Sequence, residues 1–272
     1  MKNLDSLAGR LRPLLAGGWA GLLALGLALP AAVRAQDFKM KFNSPTNRKV
    51  VLDLRGSDVT VEGYNGDELQ IHGTGHFEAP PALASGLRPI YSGGVDNTRL
   101  GLSVTSAGDN TLRIARAAHS DGTYTVRVPR QTDVLFSYDP AAGSSDLTIR
   151  DLAGRIEARL LSGDMRLLNV SGPVVANTIS GDIQIKFNVA PTQPSAVSSV
   201  SGDVDVSLPA PSRLSLSMRS ISGEIYTDFD LNLGSGSMRH VGGQTVEGRA
   251  NGGGVKFSLN SVSGEVFVRK SR

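Results

Sequence analysis

Apolar and polar residues alternate in short runs along this chain, and the runs recur in phase with one seven-residue phrase. The phrase reads apolar, Ser, Gly, usually acidic, apolar, any residue, small or apolar. It stands as Leu161-Ser-Gly-Asp-Met-Arg-Leu167, Val170-Ser-Gly-Pro-Val-Val-Ala176 and Ile179-Ser-Gly-Asp-Ile-Gln-Ile185. It returns as Val200-Ser-Gly-Asp-Val-Asp-Val206, Ile221-Ser-Gly-Glu-Ile-Tyr-Thr227 and Val262-Ser-Gly-Glu-Val-Phe-Val268. After each Ser-Gly the apolar residues fall at every second position, as in Ile183, Ile185 and Phe187, or Val204, Val206 and Leu208. Period two with β-branched residues predicts a strand with one buried face. Ser-Gly predicts the turn before it, because Gly accepts positive φ without steric cost.

The spacing predicts how these strands assemble. The repeat glycines are Gly163, Gly172, Gly181, Gly202, Gly223 and Gly264, so the gaps are 9, 9, 21, 21 and 41 residues. Gly154, in Leu152-Ala-Gly-Arg-Ile-Glu-Ala158, extends the nine-residue spacing backwards. Two nines make one step, and the last gap reads as two steps. A step of about 18–21 residues is one coil of a solenoid, with two short strands and two turns. One coil cannot bury its own apolar face, so coils must stack. The expected fold is all-β: a β-solenoid, β-helix-like or β-roll-like, of short stacked strands.

Earlier in the chain the same design is weaker. Val50, Leu52 and Leu54 alternate, followed by Val59 and Val61, then Leu69 and Ile71, with Gly56-Ser-Asp and Asn65-Gly-Asp as turns. Residues 79–98 break the pattern with Pro80, Pro81, Gly86, Pro89, Gly93 and Gly94, and predict an irregular excursion. Tyr124-Thr-Val-Arg-Val-Pro129, a turn and Val134-Leu-Phe136 match Val204-Asp-Val-Ser-Leu-Pro209, a turn and Leu214-Ser-Leu216. Proline cannot donate to a ladder and so ends a strand at a coil corner. No helix is expected after residue 35. The expected divisions are residues 1–35, a leader; 36–145, N-terminal β-repeats with the excursion; and 146–272, the regular repeats continuing them.

Composition changes the picture at one point. Lys2, Arg10 and Arg12 precede an apolar run over residues 14–29, and Val33-Arg-Ala35 reads as a cleavage site before Gln36. The run is short for a membrane span, so a cleaved signal peptide is expected, with a retained anchor as the alternative. Residues 1–35 carry Lys2, Arg10, Arg12 and Arg34 against Asp5, which accounts for the whole formal net charge of +3. The remainder is neutral, which argues against a nucleic-acid or anionic-membrane partner. There are no cysteines, hence no disulfide, thiol chemistry or lipid-modified cysteine.

Taken in order, Val95-Asp-Asn-Thr98, Leu100-Gly-Leu102, Tyr124-Thr-Val-Arg-Val-Pro129, Asn169-Val-Ser-Gly-Pro-Val174 with Asn177-Thr178, Gly223-Glu-Ile-Tyr-Thr-Asp-Phe229, Asn251-Gly-Gly-Gly254 and Val262-Ser-Gly-Glu-Val-Phe-Val-Arg-Lys270 resemble one family. From about Val51 to Arg269 the chain is similar to the bacterial putative-adhesin family of β-strand-repeat proteins, a domain of unknown function. The resemblance implies an exported β-solenoid of the cell envelope, in the periplasm or at the cell surface, that acts in adhesion or surface interaction. It carries no catalytic residues across.

The candidate chemistry is sparse. Asp164, Asp182, Asp203, Glu224 and Glu265 follow the repeat glycines, and stacked coils would align them at one edge. Either they hold calcium between coils, or each sits in a turn, exposed or bonded to backbone N–H groups. Free exchange of Asp for Glu, and the lack of a second acceptor, favour the turn. Asp228 and Asp230 would share one side of a strand and are the best carboxylate pair for cleaving a polysaccharide. His72, His76, His119 and His240 are scattered and lack zinc-site spacing. Gly252-Gly-Gly254 lacks the Lys-Ser/Thr of a phosphate loop, and the recurring Ser-Gly pairs read as turns rather than nucleophiles. Trp19 lies in the leader, so Tyr64, Tyr91, Tyr124, Tyr138 and Tyr226 are the remaining sugar-stacking candidates.

No catalytic, cofactor or metal residue is assigned. The expected function is a non-catalytic adhesion or interaction scaffold whose partner is an envelope protein or a surface glycan. The alternatives are a polysaccharide-acting solenoid enzyme and a periplasmic stress or structural factor.

Overall fold

Ile183, Ile185 and Phe187 all point to one side of their strand and are buried, while Gln184 and Lys186 face solvent. The same alternation holds strand after strand and gives two broad sheets that face each other across an apolar interior. The computed structural model describes residues 36–54, 56–74, 82–87, 94–117, 122–137, 144–234, 238–239 and 243–271, all within the unit Val33–Arg272. The leader expected over residues 1–35 lies outside the described residues. Among those described there is no α-helix, only a 3-10 turn at Ala82–Ala84.

Each coil contributes one strand to each sheet. In spatial order, coil A is Thr111–Arg116 with Thr123–Pro129, coil B is Lys49–Asp53 with Val59–Tyr64, and coil C is Asp133–Phe136 with Leu147–Arg150. Coil D is Ile156–Ser162 with Met165–Val170, coil E is Val174–Ser180 with Ile183–Phe187, and coil F is Ser195–Ser201 with Val204–Pro209. Coil G is Val255–Ser263 with Val266–Ser271, and coil H is Leu214–Ser220 with Ile225–Thr227. The strands of neighbouring coils are parallel, so identical positions stack. Val126, Val61, Ile149, Leu167, Ile185, Val206 and Val268 form one such column, every member buried. The solenoid expected from the repeat is therefore present, with coil steps of 18 residues from Met165 to Ile183 and 21 from Ile183 to Val204.

The stacking order is not the chain order. Coil G, the last in sequence, lies between coils F and H, because Val266 pairs with both Val204 and Ile225. Coil B, the first, lies between coils A and C, because Val59 pairs with both Tyr124 and Leu147. The gap of 41 residues between Gly223 and Gly264 therefore does not represent two successive steps. It leaves coil H, supplies capping strands, and returns the chain one level inward.

Antiparallel strands close the ends. Gln36–Lys41 and Glu68–Thr74 extend one sheet beyond coil A, and Leu102–Ser106 extends the other. Gln244–Ala250 pairs antiparallel with Leu214–Ser220 at the far end. Asn110 and Asn251 make matching clamps there. The Asn110 amide donates to the carbonyls of Ser44 and Thr46, and that of Asn251 to those of Ala210 and Ser212.

The repeat glycines have a stricter reason than turn flexibility. A Cβ on Gly163 would lie 2.1 Å from the carbonyl oxygen of Ser145, one on Gly181 2.2 Å from that of Gly163, and one on Gly202 2.2 Å from that of Gly181. Gly264 sits in the same way on Gly202, and Gly223 on Gly264. Positive φ occurs only at Gly163, Gly181 and Gly202 of these five, so close stacking is the shared requirement. Gly172 sits on Gly154 in a second column at the opposite corner. The nine-residue spacing is thus the distance between the two corners of a coil.

Candidate functional site

The acidic residues after the glycines form a ladder along one corner. The carboxylate of Asp58 accepts the N–H of Asp146 at 3.0 Å, Asp146 accepts that of Asp164 at 2.9 Å, and Asp164 that of Asp182 at 3.1 Å. Asp182 then accepts the N–H of Asp203 at 2.8 Å, and Asp203 that of Glu265 at 2.8 Å. Each side chain satisfies a backbone donor of the next coil, which no strand partner can reach at a corner. This is the turn reading of the carboxylates. Among the described residues no group of three or more His, Asp or Glu side chains gathers to hold a metal ion.

Just inside the corner runs a column of hydroxyls, Thr178, Ser199, Ser261 and Ser220, all buried. Ser199 donates to the carbonyl of Gly181, Ser261 to Gly202 and Ser220 to Gly264. They satisfy the carbonyls against which the next glycine packs. Period-two reasoning missed this column, since serines at inward positions look like interruptions of the apolar face.

Just outside the corner the first residue of each phrase is exposed. Ile179 is 50% exposed, Val200 44%, Val262 40% and Ile221 44%, and Leu161 is half-buried. Ile179 and Val200 are bracketed by the paired positions Thr178–Ser199 and Ser180–Ser201, and Val262 joins them through Ser199–Ser261 and Ser201–Ser263. At a strand spacing of about 4.8 Å, five such residues make an apolar stripe about 19 Å long. Single exposed apolar residues are ordinary on a protein surface, but a continuous row is not.

Two grooves lie on the outward sheet faces. One, of about 400 Å³, is lined by Asp37, Lys39, Glu62, Gln70, His72, Thr125 and Arg127 near coil A. Its charges are paired: His72 Nδ1 is 2.7 Å from Asp37, Lys39 is 3.6 Å from Glu68, and Arg127 is 3.6 Å from Glu62. Arg150 also reaches Glu62. The other, of about 820 Å³, lies across coils H and G and the strand Gln244–Ala250. Arg249, Ser215 and Lys256 form one row across it, and Glu247, Ser217 and Ser258 the next.

Residues 142–269 match the family model described as Toastrack DUF4097. This stretch is similar to that family, a domain of unknown function. It contains coils D, E, F and H, coil G as far as Arg269, and every copy of the repeat phrase, and the resemblance read in the sequence is borne out there. No curated protein matches the chain. Among solved structures the chain is similar to a putative cell adhesion protein from Clostridium sporogenes, with 6% identity, 88% of this chain and 100% of that chain covered, and a TM-score of 0.46. It is also similar to a putative adhesin from Bacteroides fragilis, with 13% identity, 88% and 97% covered, and a TM-score of 0.32.

Within the matched stretch Asp228 and Asp230 are not on a strand. Ile225–Thr227 ends before them, and they flank Phe229, which is buried among the core side chains. Asp228 accepts the N–H of Lys270 at 2.7 Å, so it serves as another corner carboxylate. The strand expected to carry the pair ends before it, and the two exposed carboxylates flank an inward-facing phenylalanine. Tyr226 is half exposed and stacks on Phe267, with ring centroids 5.3 Å apart, while Arg269 lies over Phe267.

Outside the matched stretch Tyr124 is buried and its hydroxyl donates to the carbonyl of Leu100 at 2.9 Å, so it offers no stacking surface. The Val95-Asp-Asn-Thr98 segment has a local structural role. Asp96 accepts the N–H groups of Thr98, Arg99 and Gly101, and Asn97 exchanges two hydrogen bonds with the backbone of Val104. His76, His119, His240, Tyr91 and Tyr138 lie outside the described residues, as does most of the proline-rich part of the excursion. In its described part Leu83, Leu87 and Val95 are exposed. Among the described residues no helix is long and apolar enough to cross a membrane.

Proposed function

We propose that this chain is an exported, non-catalytic interaction scaffold of the bacterial cell envelope, and that its apolar corner stripe is the contact surface for a protein partner. The observation that carries the reading is the row Leu161, Ile179, Val200, Val262 and Ile221, held in register by five coils. A rigid solenoid presents such a row without any cost of ordering it at the moment of binding. The carboxylates beside it are taken up by backbone donors, which supports a surface rather than a reaction. The names of the similar structures, a cell adhesion protein and an adhesin, agree with that reading.

Export is supported by the basic start, the apolar run over residues 14–29 and the small-residue site before Gln36. The exposed leucines of the excursion, Leu83 and Leu87, extend the contact surface in this reading.

The test is affinity capture from the native envelope with residues 36–272 as bait, beside the triple variant Ile179→Lys, Val200→Lys, Val262→Lys. A saturable protein partner that the triple variant fails to retain supports the scaffold. Equal capture by both proteins, or depolymerisation of an envelope polysaccharide that stops on Asp228→Asn or Asp230→Asn, contradicts it.

A further inference from the structure

Among the described residues, the larger groove brings two cations without an ion pair together on the strands neighbouring Leu214–Ser220. Several exposed arginines elsewhere have carboxylate partners: Arg113 is 3.1 Å from Asp53, Arg159 is 2.7 Å from Glu157, Arg166 is 3.0 Å from Asp164 and Arg269 is 2.9 Å from Asp205. In the groove, among the described residues, neither Arg249 nor Lys256 has an ion pair. Glu247 is the one carboxylate in the lining, and it lies in the neighbouring row, opposite Ser217.

Register places the two cations on either side of Ser215. Ser215 pairs with Arg249 on one flank and with Lys256 on the other. The backbones of the two outer strands are thus about 9.6 Å apart, twice the strand spacing. Two long cationic side chains on that baseline can converge on one oxyanion above the Ser215 position. The Arg249 stem runs over Gly253, where an added Cβ would meet its Cδ at 3.0 Å. One row further along the strands, Ser217, Ser258 and Glu247 offer hydroxyls and a carboxylate, the groups that bind sugar hydroxyls. The lining contains no exposed aromatic ring, so recognition there is polar.

We propose that this groove is a binding site for a carboxylated oligosaccharide. A uronate carboxylate sits between Arg249 and Lys256, in charge-assisted hydrogen bonds. Hydroxyls of the adjoining sugar reach Ser217 and Ser258 and donate to Glu247. A cavity of about 820 Å³ accommodates two to three sugar rings in an open groove of this kind. The site stands on residues other than the apolar stripe and goes beyond the scaffold reading; either can fail alone.

Calorimetric titration of the mature chain with a tetrasaccharide of a uronic acid tests the site, beside a neutral tetrasaccharide and inorganic phosphate. Saturable binding of the oligouronate is expected, weakened by added salt because the cations are exposed. The double variant Arg249→Gln, Lys256→Gln should lose affinity by about tenfold or more, with an unchanged melting temperature. The single variant Ser217→Ala should lose less. Lack of oligouronate binding, equal binding of the neutral sugar, or undiminished binding by the double variant overturns the proposal. Phosphate binding as tightly as the oligouronate also overturns it, because the groove would then be a simple anion site.

Discussion

The carboxylate of Asp203 accepts the backbone N–H of Glu265 at 2.8 Å, across 62 residues of sequence. That bond joins coil F to the inserted coil G, and it repeats the geometry by which Asp182 holds Asp203. Asp203→Ala leaves the Glu265 donor at a half-buried corner without its acceptor. A loss of about 1–2 kcal/mol is expected in urea unfolding. Asp203→Asn keeps an acceptor oxygen and should lose clearly less. Equal losses for the two variants would mean that charge, not the corner bond, is what the position supplies.

Close stacking at the glycines makes a sharper prediction. Gly264 has no positive φ, yet a Cβ there would lie 2.2 Å from the carbonyl oxygen of Gly202. Backbone must shift, so Gly264→Ala should cost about 3 kcal/mol or more. Gly108 has φ +77° and open space around it. Gly108→Ala should cost only the left-handed backbone term of about 1–2 kcal/mol. Thermal unfolding of both variants checks the order, and a larger loss at Gly108 would contradict the stacking account.

The matched proline turns contain matched unpaired hydroxyls. The N–H of Thr132 donates to the carbonyl of Pro129 at 2.9 Å, and that of Ser212 to Pro209 at 2.9 Å. The side-chain hydroxyls of both residues are buried and have no hydrogen-bond partner. Thr132→Val removes an unsatisfied oxygen at nearly constant volume. It should leave stability unchanged or raise it by up to about 1 kcal/mol, and a clear drop in melting temperature would reveal a bond that the hydroxyl makes.

The insertion of coil G predicts an unusual dependence between segments. Leu214–Ser220 pairs with Val255–Ser263 on one side and Gln244–Ala250 on the other. A chain ending at residue 254 lacks the inner partner, although it keeps all of coil H. Amide exchange over residues 214–220 should then lose its protection, while residues 174–187 in coil E keep theirs. Protection of 214–220 unaffected by the truncation would argue for sequential stacking.

How much of this was legible beforehand follows from what the residues report locally. Alternation in Ile183-Gln-Ile-Lys-Phe187 and the Ser-Gly corners carry period and turn, so the solenoid and its coil length were readable. The order of the last coils was not. Ile221-Ser-Gly-Glu and Val262-Ser-Gly-Glu are near-equivalent, and Val204 can pair with the strand after either one; long-range stacking decides. The exposure of Ile179 and Val200 was also hidden, because the corner places two successive residues outward and breaks period two. The role of the carboxylates was visible as one of two options, since a turn Asp advertises a nearby backbone donor without saying which coil provides it. The strand expected under Asp228 and Asp230 is absent, since Ile225–Thr227 ends before them.

The apolar stripe is most directly tested by site-specific photocrosslinking in the native envelope. One chain would carry a photoreactive residue in place of Val200, on the stripe, and a second would carry it in place of Gln184, on the outward face of the neighbouring sheet. A discrete protein adduct from position 200 and none from position 184 is the predicted result. An adduct from position 184 with none from position 200 would contradict the assignment of the stripe as the contact surface.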